Sequence, residues 1–103
     1  MYREKVDVTL IRCEGAIIDG FERKVVTEFN SIIADELSVN RSEFYDASRA
    51  GYKADKIFEV WDFEYDDQQY VEYEGKEYEV IRTYAANPDR IQLTCQRKDG
   101  IWK

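Results

Sequence analysis

The sequence predicts an all-β fold that contains one short α-helix. Apolar and polar residues alternate near both ends of the chain, the middle is rich in β-branched and aromatic residues, and residues 40–51 carry the signals of a capped helix. The chain has 103 residues, of which 44% are hydrophobic, which is enough for one core without metal or disulfide cross-links. Because no proline- or glycine-rich linker interrupts it, we expect a single domain over residues 1–103.

The first and last strands have the clearest pattern. Near each end, apolar residues occupy every second position: Val6, Val8 and Leu10 at the start, and Ile91, Leu93 and Cys95 at the end. A period of two is typical of half-buried strands. Another strand is predicted over Lys56 to Phe63, which is rich in β-branched and aromatic residues.

Tyr70 to Tyr84 is predicted to form a β-hairpin that turns at Glu74-Gly75. A two-residue turn would collect the apolar residues on one face but would set Glu72 opposite Glu77, a mildly destabilising pair of like charges. A bulge with left-handed Gly75 would change the register and scramble the apolar face. We favour the two-residue turn.

Residues 21–39 are ambiguous. Their apolar residues recur near a helical spacing among good helix formers: Phe21, Val25, Phe29, Ile32, Ile33 and Leu37. Ile33, Leu37 and Val39 also lie at strand-like offsets. Periodicity alone leaves helix and strand open.

A short helix is predicted over Arg41 to Ala50. Asn40 with Glu43 forms a capping box, and Gly51 supplies the C-terminal cap. Phe44, Ala47 and Ala50 share one apolar stripe.

Charge is distributed unevenly along the chain. The formal net charge is −7, from 15 basic and 22 acidic residues, and residues 54–79 hold ten of the acids but only two of the bases. An acidic surface repels a phosphate backbone, so we do not expect this protein to grip DNA. Two regions of different charge could pack against copies of the chain or a basic partner, or the acidic face could simply be solvated.

The composition predicts that the protein is not an enzyme and holds no metal or cofactor. It has no histidine, the commonest general base and zinc ligand. Cys13 and Cys95 are too far apart in sequence for a CxxC site, and we expect both to be buried thiols. Residues 62–67 resemble the start of a calcium loop, but Asp67 stands where glycine is needed and Tyr73 where glutamate is needed.

The sequence also predicts a protein of the cytoplasm that does not contact a membrane. It contains no run of about 18 apolar residues and no apolar leader near Met1.

Aromatic residues are concentrated in the middle of the chain, where 13 of the 15 lie between residues 21 and 84. They could form a core with an amphipathic rim or an assembly interface. Five residues alternate basic and tyrosine side chains around the predicted helix and are called the helix patch: Arg41, Tyr45, Arg49, Tyr52 and Lys53. The helix patch could be a contact surface or an ordinary solvated face.

Several segments are familiar when taken in order. They are the strand Val8 to Ile11, the run Ile33 to Ala47, Gly51 to Lys53, the hairpin Tyr70 to Tyr84, and the strand Ile91 to Thr94. Together they resemble the phage head-tail joining, or head-closure, protein family. The resemblance covers most of the chain and depends on the ordered set, since no single segment is a specific motif.

The resemblance implies a small β-barrel or sandwich, with a strand from about Ile32 to Val39 and the short helix inserted between the second and third long strands. It implies a structural virion protein of a tailed phage or prophage. Such a protein forms a ring at the head-tail junction, docks on the portal or adaptor protein, closes the DNA-filled head and provides the platform for the tail. A tail terminator or a minor tail protein is the alternative.

The resemblance also implies the interfaces. The helix patch would face the channel or the portal, and Asp62, Asp66 and Asp67, called the acidic loop, would face a neighbouring subunit or the tail. DNA would pass through the channel without specific binding, since phosphate contacts would act as a brake. The chain would assemble from the host cytoplasm into a ring on the virion, and we expect the isolated chain to be a monomer or a small oligomer.

Overall fold

The computed structural model describes residues 3–98 and shows six antiparallel strands that close into a barrel. The elements are β1 (Arg3–Ile18), β2 (Phe21–Leu37), α1 (Arg41–Arg49), β3 (Lys56–Trp61), a 3-10 turn (Asp62–Glu64), β4 (Tyr70–Tyr73), β5 (Lys76–Asn87) and β6 (Arg90–Arg97). Around the barrel the order is β1-β2-β3-β6-β5-β4. The predicted all-β fold, with one short helix between the second and third long strands, is confirmed. Within residues 3–98, no helix is long and apolar enough to cross a membrane.

The barrel closes where β4 pairs with β1. Leu10 lies opposite Val71 in this pairing, and both side chains are fully buried. Inward-pointing residues from all six strands form one core: Val8, Leu10, Ile32, Ala34, Phe58, Val60, Val71, Tyr78, Leu93 and Cys95. Burial of a large apolar side chain contributes about 1.5–3 kcal/mol, so this core stabilises the barrel.

Strands β4 and β5 form the predicted hairpin. Residues 74 and 75 have φ angles of 52° and 73°, as a two-residue turn of type I′ requires. Val71 lies opposite Tyr78, and Glu72 lies opposite Glu77. The predicted register is therefore confirmed, with its pair of like charges.

Residues 21–37 form one continuous strand, so the helical alternative for this stretch is wrong. The strand that the resemblance placed from about Ile32 to Val39 is present, but it already begins at Phe21 and ends at Leu37. Pairing with β1 over the whole length of β2 supplies the hydrogen bonds that a helix would otherwise have made internally.

Strands β1 and β2 run on together past the rest of the barrel. β4 pairs with β1 only as far as Ile11, and β3 pairs with β2 only from Asp35. Residues 13–26 therefore form a two-stranded ribbon, here called the arm, whose outer edges pair with no other strand of residues 3–98. Asp19 and Gly20, with φ of 51° and 81°, make its turn.

Helix α1 has the predicted caps. The Asn40 side chain accepts a hydrogen bond from the Glu43 N–H at 2.7 Å. At the other end, Gly51 has a φ of 87°, and its N–H and that of Tyr52 donate to carbonyls of the last turn. This is a Schellman motif, which needs a left-handed residue and so favours glycine.

Two details of the helix prediction are wrong. The Glu43 side chain does not complete a capping box, because its carboxylate binds strands β5 and β6 instead. Of the predicted apolar stripe, only Ala47 is buried, while Phe44 and Ala50 are exposed.

Candidate functional site

Helix α1 is fixed to the barrel by the carboxylate of Glu43. This group accepts hydrogen bonds from Arg82 Nε on β5 at 2.9 Å and from Thr94 Oγ1 on β6 at 2.8 Å. Another Arg82 nitrogen also contacts it, so the contact is bidentate. The hydrogen bond from Arg82 holds the pKa of Glu43 below its ordinary value, against the opposing effect of partial burial. The segment that carries the helix patch is therefore held in one position against two strands.

All five residues of the helix patch are exposed, and Arg41, Tyr45 and Arg49 are spaced by four along α1, which places these three on one face of the helix. Both tyrosines are about half exposed. Arg49 forms an ion pair with Asp46 at 3.0 Å, and Lys53 Nζ lies 3.7 Å from Asp55. Neighbouring carboxylates thus balance two of the three basic groups, so the patch presents its aromatic rings more than it presents net charge.

The acidic loop lies between β3 and β4 and is tied to the start of the arm. Asp66 accepts a hydrogen bond from Arg12 at 3.0 Å through its carboxylate and another through its main-chain oxygen. Gln68 is buried and donates to Glu28 on β2 at 3.0 Å. Asp66 therefore holds the loop in place, while Asp62 and Asp67 are exposed and form no ion pair with any described residue.

Tyr65 supports the same loop from inside. Its hydroxyl donates to the main-chain oxygen of Gln68 at 3.0 Å. Burial, together with the nearby charge of Asp67, raises the pKa of Tyr65 to about 12. The hydroxyl therefore stays protonated near neutral pH and continues to donate this bond.

The two predicted interfaces lie at opposite ends of the barrel. The helix patch belongs to the connection that leads into β3 at Lys56, and the acidic loop belongs to the connection that leaves β3 at Trp61. Because β3 is a single strand of the barrel wall, its two ends reach opposite rims. A subunit of this shape can hold one partner at each rim.

The acidic segment 54–79 does not form one flank of the molecule. It includes both β3 and β4, which are not neighbours in the barrel. Strands β6 and β5 separate them on one side, and β1 and β2 separate them on the other. Several of its carboxylates are also paired with bases from other strands, such as Glu59 with Arg90 at 3.1 Å. The uneven charge along the sequence therefore does not translate into a separate acidic side of the barrel.

Cysteines and possible metal ligands were the groups on which the sequence-based expectations about chemistry depended. The two cysteines are buried free thiols, as predicted, and burial raises the pKa of both Cys13 and Cys95. A raised pKa disfavours the reactive thiolate. No cluster of three or more histidine, cysteine or acidic residues in this range could hold a metal ion.

The arm and the strands at its base carry an exposed apolar surface that sequence reasoning missed. The largest exposed aliphatic and aromatic side chains there are Ile17, Phe21, Phe29 and Ile33, each more than half exposed. The dipeptide Asp19-Gly20 was the available signal, because Asp-Gly between apolar runs is typical of a tight hairpin turn. These groups are spread along the ribbon, with Phe21 on one face and Phe29 and Ile33 on the other, and large exposed apolar side chains that no described residue covers make each face a candidate for protein contact.

A groove beside β2 is the other feature that sequence reasoning missed. It has a volume of about 760 Å³ and is lined by residues of β1 and β2, by Trp61 and Glu64 at the end of β3 and just after it, by Glu72 in β4 and Glu74 in the turn that follows, and by Arg90. The guanidinium of Arg90 packs 4.4 Å from the centre of the Trp61 ring and pairs with Asp35 at 3.0 Å. These contacts fix one wall of the groove.

No family model matches this chain, and neither the curated proteins nor the solved structures contain a match to it.

Proposed function

We propose that this protein is a structural virion component of a tailed phage or prophage. Copies of it form a ring at the head-tail junction. The ring docks on the portal or adaptor protein, closes the DNA-filled head and provides the attachment platform for the tail. This function combines the ordered sequence resemblance with the geometry of a subunit that has a contact surface at each rim.

The observation that carries the proposal is the placement of the two predicted interfaces at opposite ends of β3. A head-tail connector needs one surface for the portal and another for the tail, and the helix patch and the acidic loop are separated in this way. Both are held rigidly, the first through Glu43 and the second through Arg12. Rigid presentation reduces the ordering cost of binding.

Electrostatics support passage of DNA without specific binding. The chain has a formal net charge of −7, and two of the three basic residues of the helix patch are paired with carboxylates. Nucleic-acid affinity depends largely on lysine and arginine that neutralise phosphates. A channel lined by this surface would release few counterions from DNA and would hold it weakly.

The test uses DNA-filled, tail-less heads together with the purified portal ring, adaptor and tails. In the proposed role the wild-type chain binds the heads, prevents loss of DNA and permits tail attachment, as seen by electron microscopy. The variant R41E/K53E should lose head binding, and D62K/D67K should bind heads but lose tail attachment. K76E, which changes an exposed charge at the first residue of β5, is the matched control and should behave as wild type.

Failure of the wild-type chain to bind heads that carry all their other components would overturn the proposal. Binding to isolated tails but not to tail-less heads would instead favour the alternative role of a tail terminator. Electron microscopy of the chain mixed separately with heads and with tails distinguishes these two results.

A further inference from the structure

One face of the arm combines apolar side chains with a single basic group at its tip. Ile18 lies opposite Phe21, and Ala16 lies opposite Arg23. Because residues directly opposite, and residues two apart along a strand, point the same way, these four share a face. Phe21 is 67% exposed, and Arg23 is exposed with no ion pair to any other described residue. Nothing in residues 3–98 covers this face.

The groove beside β2 has the complementary character. Four carboxylates that enter no ion pair within the described chain line it, those of Asp7, Glu64, Glu72 and Glu74. Its exposed apolar groups are Ile33 and Trp61, which are 59% and 44% exposed. The two bases in its lining, Lys5 and Arg90, are both paired with Asp35. The groove therefore offers apolar contact together with uncompensated negative charge.

The main chain along the groove is also unoccupied. β2 pairs with β3 only at residues 35–37, so the edge of residues 31–34 that faces away from β1 pairs with no strand of the described chain. An open strand edge can accept an extended segment through main-chain hydrogen bonds, with side-chain pockets giving specificity. The arm is itself an extended ribbon with free edges, which makes it a suitable occupant.

We propose that the arm of one copy occupies the groove of the next copy. The apolar face with Phe21 packs against Ile33 and Trp61, and Arg23 lies beside the unpaired carboxylates of Glu64 and Glu72. Arm and groove are different surfaces of the same chain, so the contact is head-to-tail and can continue around a closed ring. This inference rests on the proposed ring and names the contact that joins its subunits.

Cross-linking of the full chain tests the contact. The double variant F21C/I33C, treated with a short bismaleimide over a series of concentrations, should give a ladder of dimers, trimers and higher products. F21C alone and F21C/Y84C should stay largely monomeric, because Tyr84 is equally exposed but lies on β5, outside the groove. The wild-type chain controls for Cys13 and Cys95, whose thiols are buried.

Two results of this experiment would overturn the proposal. A dimer from F21C alone would indicate that two arms pair symmetrically. No product from F21C/I33C, when both new thiols are fully modified, would show that the arm does not reach the groove. Circular dichroism and thermal melting of each variant establish that the barrel is folded.

Charge reversal gives an independent test. In the F21C/I33C background, R23E should reduce the amount of cross-linked product at least tenfold at equal concentration. Adding E64K or E72K to that variant should restore the product. Failure of both rescues would overturn the placement of Arg23. Shortening the arm by deletion of residues 16–18 and 21–23 leaves the Asp19-Gly20 turn and removes three opposed pairs. The shortened chain keeps its groove, so with I33C it should still cross-link to the arm-bearing F21C chain, but the product should stop at the dimer because the shortened chain has no arm to extend it.

The two proposals fail separately. A cross-linked ladder from a chain that does not bind heads would leave the arm contact in place and remove the head-tail role. Conversely, binding to heads by a chain that gives no ladder would keep that role and remove the arm contact.

Discussion

Glu43 of helix α1 and Arg82 of strand β5 form a bidentate contact although 39 residues separate them in the sequence. Thr94 on β6 donates to the same carboxylate at 2.8 Å. Two strands and the helix therefore meet at one side chain. Because the described chain offers α1 no other ion pair to the barrel, this carboxylate determines where the helix patch is displayed.

We expect a favourable coupling between Glu43 and Arg82. Arg82 is 44% exposed, so the coupling energy in a double-mutant cycle of E43A and R82A should be about 0.5–1 kcal/mol. Urea unfolding of the four proteins measures it. The Asp46–Arg49 pair within the helix, which is more exposed, is the control and should give at most about 0.5 kcal/mol. Equal couplings for the two pairs would contradict a special role for Glu43.

The contribution of Glu43 to the free energy of unfolding should depend on pH. Arg82 lowers the pKa of Glu43 in the folded chain, so the stability it contributes is fully present above the ordinary glutamate pKa of about 4.3. This stability is lost as the pH falls through the lowered folded value. The difference in unfolding free energy between wild type and E43Q should therefore be largest near neutral pH and shrink in acid. In an R82Q background, the difference in unfolding free energy between chains with Glu43 and with E43Q should change little with pH.

Replacement of a buried aromatic side chain should lower the free energy of unfolding far more than replacement of an exposed one. Phe58 is fully buried and packs edge-on to Tyr73 and Tyr78, with ring centres 5.3 Å and 6.2 Å away. We expect F58A to lower the unfolding free energy by about 3–5 kcal/mol. F63A is the matched control, because Phe63 is 82% exposed, and its cost should stay within about 0.5 kcal/mol. Thermal melting of both variants checks the contrast.

Relief of a like-charge pair should stabilise the β4–β5 hairpin. Glu72 lies directly opposite Glu77, and like charges at opposed positions are unfavourable. E72Q should raise the unfolding free energy by a few tenths of a kcal/mol, to about 0.5. E14Q, which changes a glutamate that lies opposite Val25, is the control and should leave it unchanged. A destabilised E72Q would show that the charge of Glu72 is used elsewhere.

Sequence reasoning succeeded where one local signal decides the structure. The two-residue turn at Glu74-Gly75 was favoured because it collects the apolar residues of both strands on one face, and the structure has this register. Asn40 and Gly51 marked the helix ends for similar local reasons. In each case the deciding hydrogen bonds join residues that are close in sequence.

Sequence reasoning failed for residues 21–37, where pairing with another strand decides between helix and strand. Phe21, Val25, Phe29 and Ile33 are spaced by four, which suits a helix but also keeps residues on one face of a strand, since four is even. The register shifts between Arg12 and Cys13, and the resulting bulge moves Phe21 and Val25 to the face opposite Phe29 and Ile33. Neither the bulge nor the exposed arm follows from composition alone.

Sequence reasoning did not foresee how the helix patch and the acidic loop are anchored to the barrel. Arg12 was never a candidate residue, yet it holds Asp66 from a strand 54 positions away. Glu43 was assigned to a cap and instead reaches β5 and β6. Side chains that act between distant strands leave no local pattern to detect.

The closure of β1 on β4 also sets an order for folding. Strands β1 and β2 are joined by a tight turn and can zip together within microseconds, whereas the pairing of residues 9–11 with 70–72 must wait for most of the chain. Topologies dominated by such distant pairings fold in milliseconds to seconds. The arm therefore leaves the ribosome well before β4, the strand that completes the barrel. During that interval, the exposed apolar groups of the arm need protection from contact with other nascent chains.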